Sequence, residues 1–173
     1  MSPEDQQKIR NISQLTWTLA NTPRPLLSQN EIENLTIERG TLTSEERAVI
    51  NHHIEATINM LNKIRFPKHL KNVPEYAGGH HERMDGKGYP KGLTREQMSI
   101  QARAMAIADI FEALTAKDRP YKEGKKLSEA IEILYKMKLG HHIDPDLFDA
   151  FMNKKVYVKY AEKFLDPSQI DMD

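Results

Sequence analysis

Between residues 82 and 93 the chain carries Gly86, Gly88, Pro90 and Gly92, a density of unrestrained and N–H-lacking residues that neither a helix nor an inner strand tolerates. That stretch must be a tight surface loop, and the rest of the chain has to pack around it. The flanks read as helix. Ser28-Gln29-Asn30-Glu31 and Thr43-Ser44-Glu45-Glu46 both have capping-box spacing, in which a hydroxyl and a later carboxylate each satisfy a backbone donor. From the second box, residues 44 to 64 place Val49, Ile50, Ile54, Ile58, Leu61 and Ile64 on one helical face.

Further signals extend this pattern. Ser2-Pro3 with Asp5 predicts a first helix carrying Ile9, Ile12, Leu15, Trp17 and Leu19, ended by Thr22-Pro23-Arg24-Pro25. A short helical stretch follows Pro67. Ser99 caps a helix through about Ala113 built on Ala102, Met105, Ala106, Ala108 and Phe111; Ser128 opens another that Gly140 closes; Asp144-Pro145 opens one more. Residues 156 to 165 read as a final helix and 166 to 173 as a frayed acidic tail. No strand alternation stands out. The expected fold is all-α: residues 1 to 27 form a helix and linker, residues 28 to 165 a helical bundle with one Gly-rich loop, and 166 to 173 the tail.

Composition narrows the function. Twenty-five Lys and Arg balance 25 Asp and Glu, so no global field draws the chain to DNA or anionic lipid, and any anion site must be local. No apolar run approaches the ~20 residues of a membrane span, and no signal peptide is visible, so the chain reads as cytoplasmic without membrane insertion. The absence of cysteine removes disulfides, thiolate metal sites and cysteine nucleophiles together. Seven histidines are the conspicuous chemical resource.

Six of them fall in doublets: His52-His53, His80-His81 and His141-His142. Adjacent helical residues point about 100° apart, so one member of a doublet is often merely solvated. His53 falls on the apolar stripe of its helix, where a hydrogen-bonded core histidine and a ligand are both tenable. Asp109 sits within Ala104-Met105-Ala106-Ile107-Ala108-Asp109-Ile110-Phe111. An aspartate buried there needs a cation, hydrogen bonds or a metal. With His80 and His81 at the edge of the loop, these residues make a nitrogen and oxygen set suited to iron, manganese, zinc or nickel. The loop adds Arg83, Lys87, Lys91 and Arg95 with the aromatic face of Tyr89, and a second basic cluster holds Arg119, Lys122, Lys125 and Lys126. Singly, each of these cations equally suits a solvated surface.

His80-His81-Glu82-Arg83-Met84-Asp85-Gly86-Lys87-Gly88-Tyr89-Pro90 resembles the HHExxDGxGYP signature of the HD-GYP family. The resemblance continues in register through Arg39-Gly40-Thr41-Leu42-Thr43, His53, Ala102-Arg103, Ala108-Asp109, Asp118-Arg119-Pro120-Tyr121 and Asp144-Pro145, covering about residues 28 to 152. It implies a bacterial helical domain of the HD superfamily that opens cyclic di-GMP to the linear dinucleotide pGpG or to GMP at a two- or three-metal centre. By that resemblance His53, His80, His81 and Asp109 are metal ligands, and Asp109 and Arg119 serve catalysis. Tyr89 and Arg119 contact substrate, with Arg83 and Lys122 among the cations on its phosphates. The implied cofactor is a divalent metal, iron or manganese ahead of zinc or nickel.

One departure matters. No histidine in the chain is followed by aspartate, whereas the His-Asp dipeptide that names the family supplies the carboxylate bridging two metals. The expectation is a chain lacking half of the metal centre, with one metal bound. Glu112 stands where relatives often have Asp. Two readings result: part of a cyclic di-GMP phosphodiesterase, or a catalytically inactive module that keeps the loop for docking other signalling domains.

Overall fold

The local signals close as hydrogen bonds in the computed structural model, which describes residues 1–19, 21–38, 40–117 and 124–172. It divides into two compact units, Met1–His52 and His53–Asp173. In the first, Ser2 caps helix α1 (Pro3–Ile12) by accepting the Asp5 N–H at 3.2 Å. The helix predicted to run on to Leu19 stops at Ile12. Strands β1 (Thr16–Leu19) and β2 (Thr22–Pro25) follow as an antiparallel hairpin, with Trp17 opposite Arg24. Thr16, Trp17 and Thr18 favour extended backbone, and Asn21 turns the chain at φ 61°. Both strands of a two-stranded ribbon are edges, so Pro23 and Pro25 are tolerated there.

Both capping boxes form. Glu31 accepts the Ser28 N–H at 2.7 Å at the head of α2 (Gln29–Leu35), and Glu46 accepts the Thr43 N–H at 2.9 Å at the head of α3 (Ser44–Asn62). The boundary between the units falls inside α3. Its apolar stripe differs from expectation: Ile54 is fully buried, but Val49 is 75% and Ile50 50% exposed. Periodicity brings these residues onto one face and cannot by itself cover that face.

In the second unit, a 3-10 turn (Lys68–Leu70) leads to α4 (Val73–Gly78), the Gly-rich loop and a 3-10 turn (Arg95–Gln97). Helices α5 (Ile100–Thr115), α6 (Leu127–Leu139), α7 (Pro145–Asn153) and α8 (Val156–Phe164) complete it. Ile107 and Phe111 of α5 pack with Leu127, Ala130 and Leu134 of α6, Phe148 of α7, and Tyr157 and Ala161 of α8 in one core. Ser99 caps α5 and Asp144 caps α7, as their spacing predicts. Helix α6 starts at Leu127, one residue earlier than Ser128 suggests, because Ser128 is turned to Asp171 at 2.7 Å.

The chain end is not frayed over the described residues. Gln169 is 3% exposed, and its amide donates to the carbonyls of Thr115 and Lys125 at 2.9 Å each. These bonds satisfy two carbonyls beside the end of α5 and the start of α6, the bond to Thr115 being buried and that to Lys125 part-buried. Among the described residues no helix is long and apolar enough to cross a membrane.

Candidate metal centre

Two glycines bring the histidines together. A Cβ on Gly78, the last residue of α4, would stand 2.8 Å from the side chain of Ile58 on α3; one on Gly79 would stand 2.9 Å from Ala102 on α5. Both distances are shorter than side chains accept, so hydrogen at these positions lets the end of α4 press against both helices. His80 and His81 follow at once in the chain. His53, one turn before Thr57 on α3, meets them.

The ligand-capable nitrogens of His53, His80 and His81 all lie within 4.8 Å of one another. His81 Nε2 is 3.3 Å from His53 Nε2, across 28 residues of chain. The His80 and His81 rings are 4.1 Å apart by centroid. His80 Nδ1 lies 2.6 Å from the carbonyl of Ala77. A carbonyl only accepts, so Nδ1 carries the proton and Nε2 presents its lone pair, the usual outer-shell arrangement of a metal-binding histidine. Burial pushes the pKa of His81 down, and the neighbouring His80 and His53 reinforce this against the opposing pull of Asp109. The neutral imidazole that a metal requires is thereby favoured. Three convergent imidazoles suit a divalent first-row cation.

Tyr89 closes one side of the cluster. Its ring lies 18° from parallel to that of His81 at 4.8 Å. Burial raises its phenol pKa, and the charge of Asp109 adds to the effect. Asp109 therefore acts electrostatically on both His81 and Tyr89. It is nevertheless exposed and stands outside the three-histidine cluster. The burial expected from its apolar flanks does not occur. Asp109 is two residues from both Ile107 and Phe111, roughly 200° around the helix from each, and those two face the core. His53 is likewise exposed rather than inward, while His80 and His81 are half-buried.

The remaining candidates are arranged differently. Arg83 is engaged by Asp85, with Nε and Nη2 donating at 3.1 and 2.7 Å. Arg119 and Lys122 lie outside the described residues. Glu112 is exposed on α5, and His141 and His142 are not in the histidine cluster. Two acidic residues carry more of the site's support than their sequence positions suggest. Asp144, read as a helix cap, is fully buried and also receives Arg95 and Arg103. Glu82, between the candidate ligands and the glycines, is 2% exposed. An acidic residue so placed in a Gly-rich signature was the available signal.

Comparison with known proteins shows the family of the chain. The family described as HD domain matches residues 23–147. A "Probable cyclic di-GMP phosphodiesterase" of Vibrio cholerae is 35% identical over 145 residues, covering 78% of this chain and 31% of the relative. A cyclic di-GMP phosphodiesterase of Pseudomonas aeruginosa is 40% identical over 113 residues, 65% of this chain and 26% of the relative. A 3'3'-cGAMP-specific phosphodiesterase of Vibrio cholerae is 35% identical over 111 residues, 64% and 23% respectively. The chain thus spans less than a third of the length of each of these relatives.

Proposed function

Because the chain belongs to the HD-GYP family of HD domains, we propose that it supplies the three-histidine side of the metal centre of a cyclic di-GMP phosphodiesterase. The observation that carries this reading is the convergence of the His53, His80 and His81 nitrogens within 4.8 Å. A divalent cation held by these nitrogens supplies Lewis acidity and charge neutralisation at a phosphoryl oxygen.

The chain's own residues prepare the site. Ala77 orients His80 through the proton on Nδ1. Partial burial and the neighbouring His80 favour the neutral form of His81. Tyr89 offers a flat ring beside the ligands on which a guanine stacks. Lys87 and Lys91 are exposed on the loop for the phosphates. Arg119 joins them on the strength of the family pattern alone, and Lys122 as its neighbour in the second basic cluster. Asp109, close enough to shift His81 and Tyr89 yet outside the three-histidine cluster, would serve the neighbouring metal position that a His-Asp pair completes. With no His-Asp dipeptide in its 173 residues, the chain by itself holds one metal rather than a bridged pair, iron or manganese being the natural choice.

The test combines metal content with turnover. The purified chain is loaded with Fe²⁺ or Mn²⁺ and offered cyclic di-GMP and 3'3'-cGAMP in parallel, with pGpG and GMP resolved by chromatography. The proposal expects one bound cation per chain. A chain that binds no cation rules out the site, two cations with turnover rule out the half-centre, and hydrolysis of 3'3'-cGAMP alone rules out the substrate. The exposure of His53 and Asp109 supports the second reading for this chain alone, an inactive module that docks other signalling domains through the loop. Cation binding and cyclic di-GMP binding without turnover are its signature.

A further inference from the structure

We propose that Glu82 is a positioning residue: its buried carboxylate clamps the return limb of the Gly-rich loop and so holds Tyr89 flat on His81. Glu82 is 2% exposed. Its two oxygens accept one backbone N–H each, from Lys91 and from Leu93, both at 2.8 Å. Burying a carboxylate is costly, and two charge-assisted bonds to backbone amides offset that cost. A neutral side chain would fill the same space with less desolvation, so the carboxylate is explained by the amides it holds.

The surrounding contacts show what the clamp positions. Tyr89 N–H donates to the carbonyl of His81 at 3.2 Å. A Cβ on Gly88 would stand 2.4 Å from both Glu82 Cα and Arg83 N, so the loop rests directly on the backbone that follows the ligands. Residues 88, 89, 91 and 93 are therefore seated in succession on His81, Glu82 and Arg83. Gly86 and Gly92 turn the loop at positive φ, a conformation glycine takes without steric cost. Two of the polar anchors of the return limb come from Glu82. Released from them, the limb keeps the Tyr89 N–H bond to His81 and the Asp85–Thr94 bridge but loses both bonds that seat it directly after Tyr89. Only the consequence for substrate rests on the phosphodiesterase reading: Glu82 then governs nucleotide binding without touching metal or nucleotide.

The experiment uses the metal-free, substrate-free full chain, so its result does not depend on turnover. NMR follows amide hydrogen exchange at Lys91 and Leu93 and the ring-proton shifts of His81, with Tyr89→Leu defining the upfield displacement that Tyr89 causes. In Glu82→Gln, where an NH₂ replaces one acceptor, exchange at these amides accelerates and the His81 displacement is lost while circular dichroism stays unchanged. If that variant does not fold, Glu82→Asp, one methylene short, is read in the same way. Unprotected Lys91 and Leu93 amides in the wild-type chain overturn the inference. So does an unchanged His81 displacement in a folded variant whose two amides exchange freely. Loss of the displacement upholds it even in a chain that hydrolyses no cyclic dinucleotide.

Discussion

Arg103, on α5, donates to the wholly buried carboxylate of Asp144 at the head of α7. Arg95 reaches the same carboxylate at 3.0 Å, and the amides of Asp146 and Leu147 donate to it at 2.9 and 3.1 Å. One side chain thus joins the end of the Gly-rich loop, the α5 helix and the N-terminus of α7.

Removing that junction is expected to be severe. Asp144→Ala should destabilise the chain by about 3–5 kcal/mol, because it leaves the part-buried Arg103 guanidinium without its counter-charge, while Arg95 keeps Asp146. Asp144→Asn, which retains a helix cap, should cost less. Urea denaturation of the two variants checks the order. Burial raises the Asp144 pKa, but hydrogen bonds from Arg95, Leu147 and Arg103 outweigh it and hold the carboxyl below its ordinary value. Its stabilisation is therefore complete above the unfolded carboxylate pKa of about 4 and is lost as pH falls through the lower folded value. A pH series of urea midpoints should fall less steeply below pH 4 in Asp144→Asn than in wild type.

Gly78→Ala should loosen the histidine cluster through packing alone. The added methyl meets Ile58 at 2.8 Å, and overpacking of this kind costs about 1–3 kcal/mol. Thermal melts should show the loss, and Mn²⁺ titration should show weaker binding. Ile58→Val in the same chain removes Cδ1, one of the two atoms in conflict, and keeps Cγ1, so it should restore part of both. Failure of that rescue would show that the close approach of α3 and α4 is not what sets the cluster.

His53→Ala and His81→Ala should each weaken divalent cation binding by more than about 100-fold, beyond the 10–100-fold typical of losing a supporting partner. Asp109→Asn should weaken it less in this chain, because Asp109 stands outside the cluster. Calorimetric titration with Mn²⁺ reads all three. Equal losses would place Asp109 on the same cation as the histidines.

Gln169→Ala should cost about 2 kcal/mol, since it leaves the buried Thr115 carbonyl without its partner and removes the part-buried bond to Lys125. Asp166, bonded to Ser168 and Lys117, has its pKa held down to about 2. Its contribution to docking this end of the chain is complete above pH 4 and disappears as pH falls through about 2. The Gln169 side-chain amide resonances should report undocking over that interval.

Much of the local structure was legible because it is locally enforced. The boxes at Ser28 and Thr43 join groups three residues apart, and Ser99 and Asp144 cap the helices that follow them. The density of Gly86, Gly88, Pro90 and Gly92 excluded regular structure whatever packed nearby. The hairpin at residues 16 to 25 was missed because Leu15, Trp17 and Leu19 fit a helical and an alternating pattern alike over so short a run.

The histidines were legible as candidates, and the family signature suggested their union. Their convergence required Gly78 and Gly79 to seat one chain segment between two others. The same distinction separates expectation from outcome at Val49, Ile50 and Asp109. Sequence alone determined helix register, caps, loop and available ligand types, because these depend on backbone geometry and neighbours within a few residues. Only the tertiary structure decided that Glu82 and Asp144 are buried anchors while His53 and Asp109 face solvent, because burial depends on which other segment arrives to cover a face.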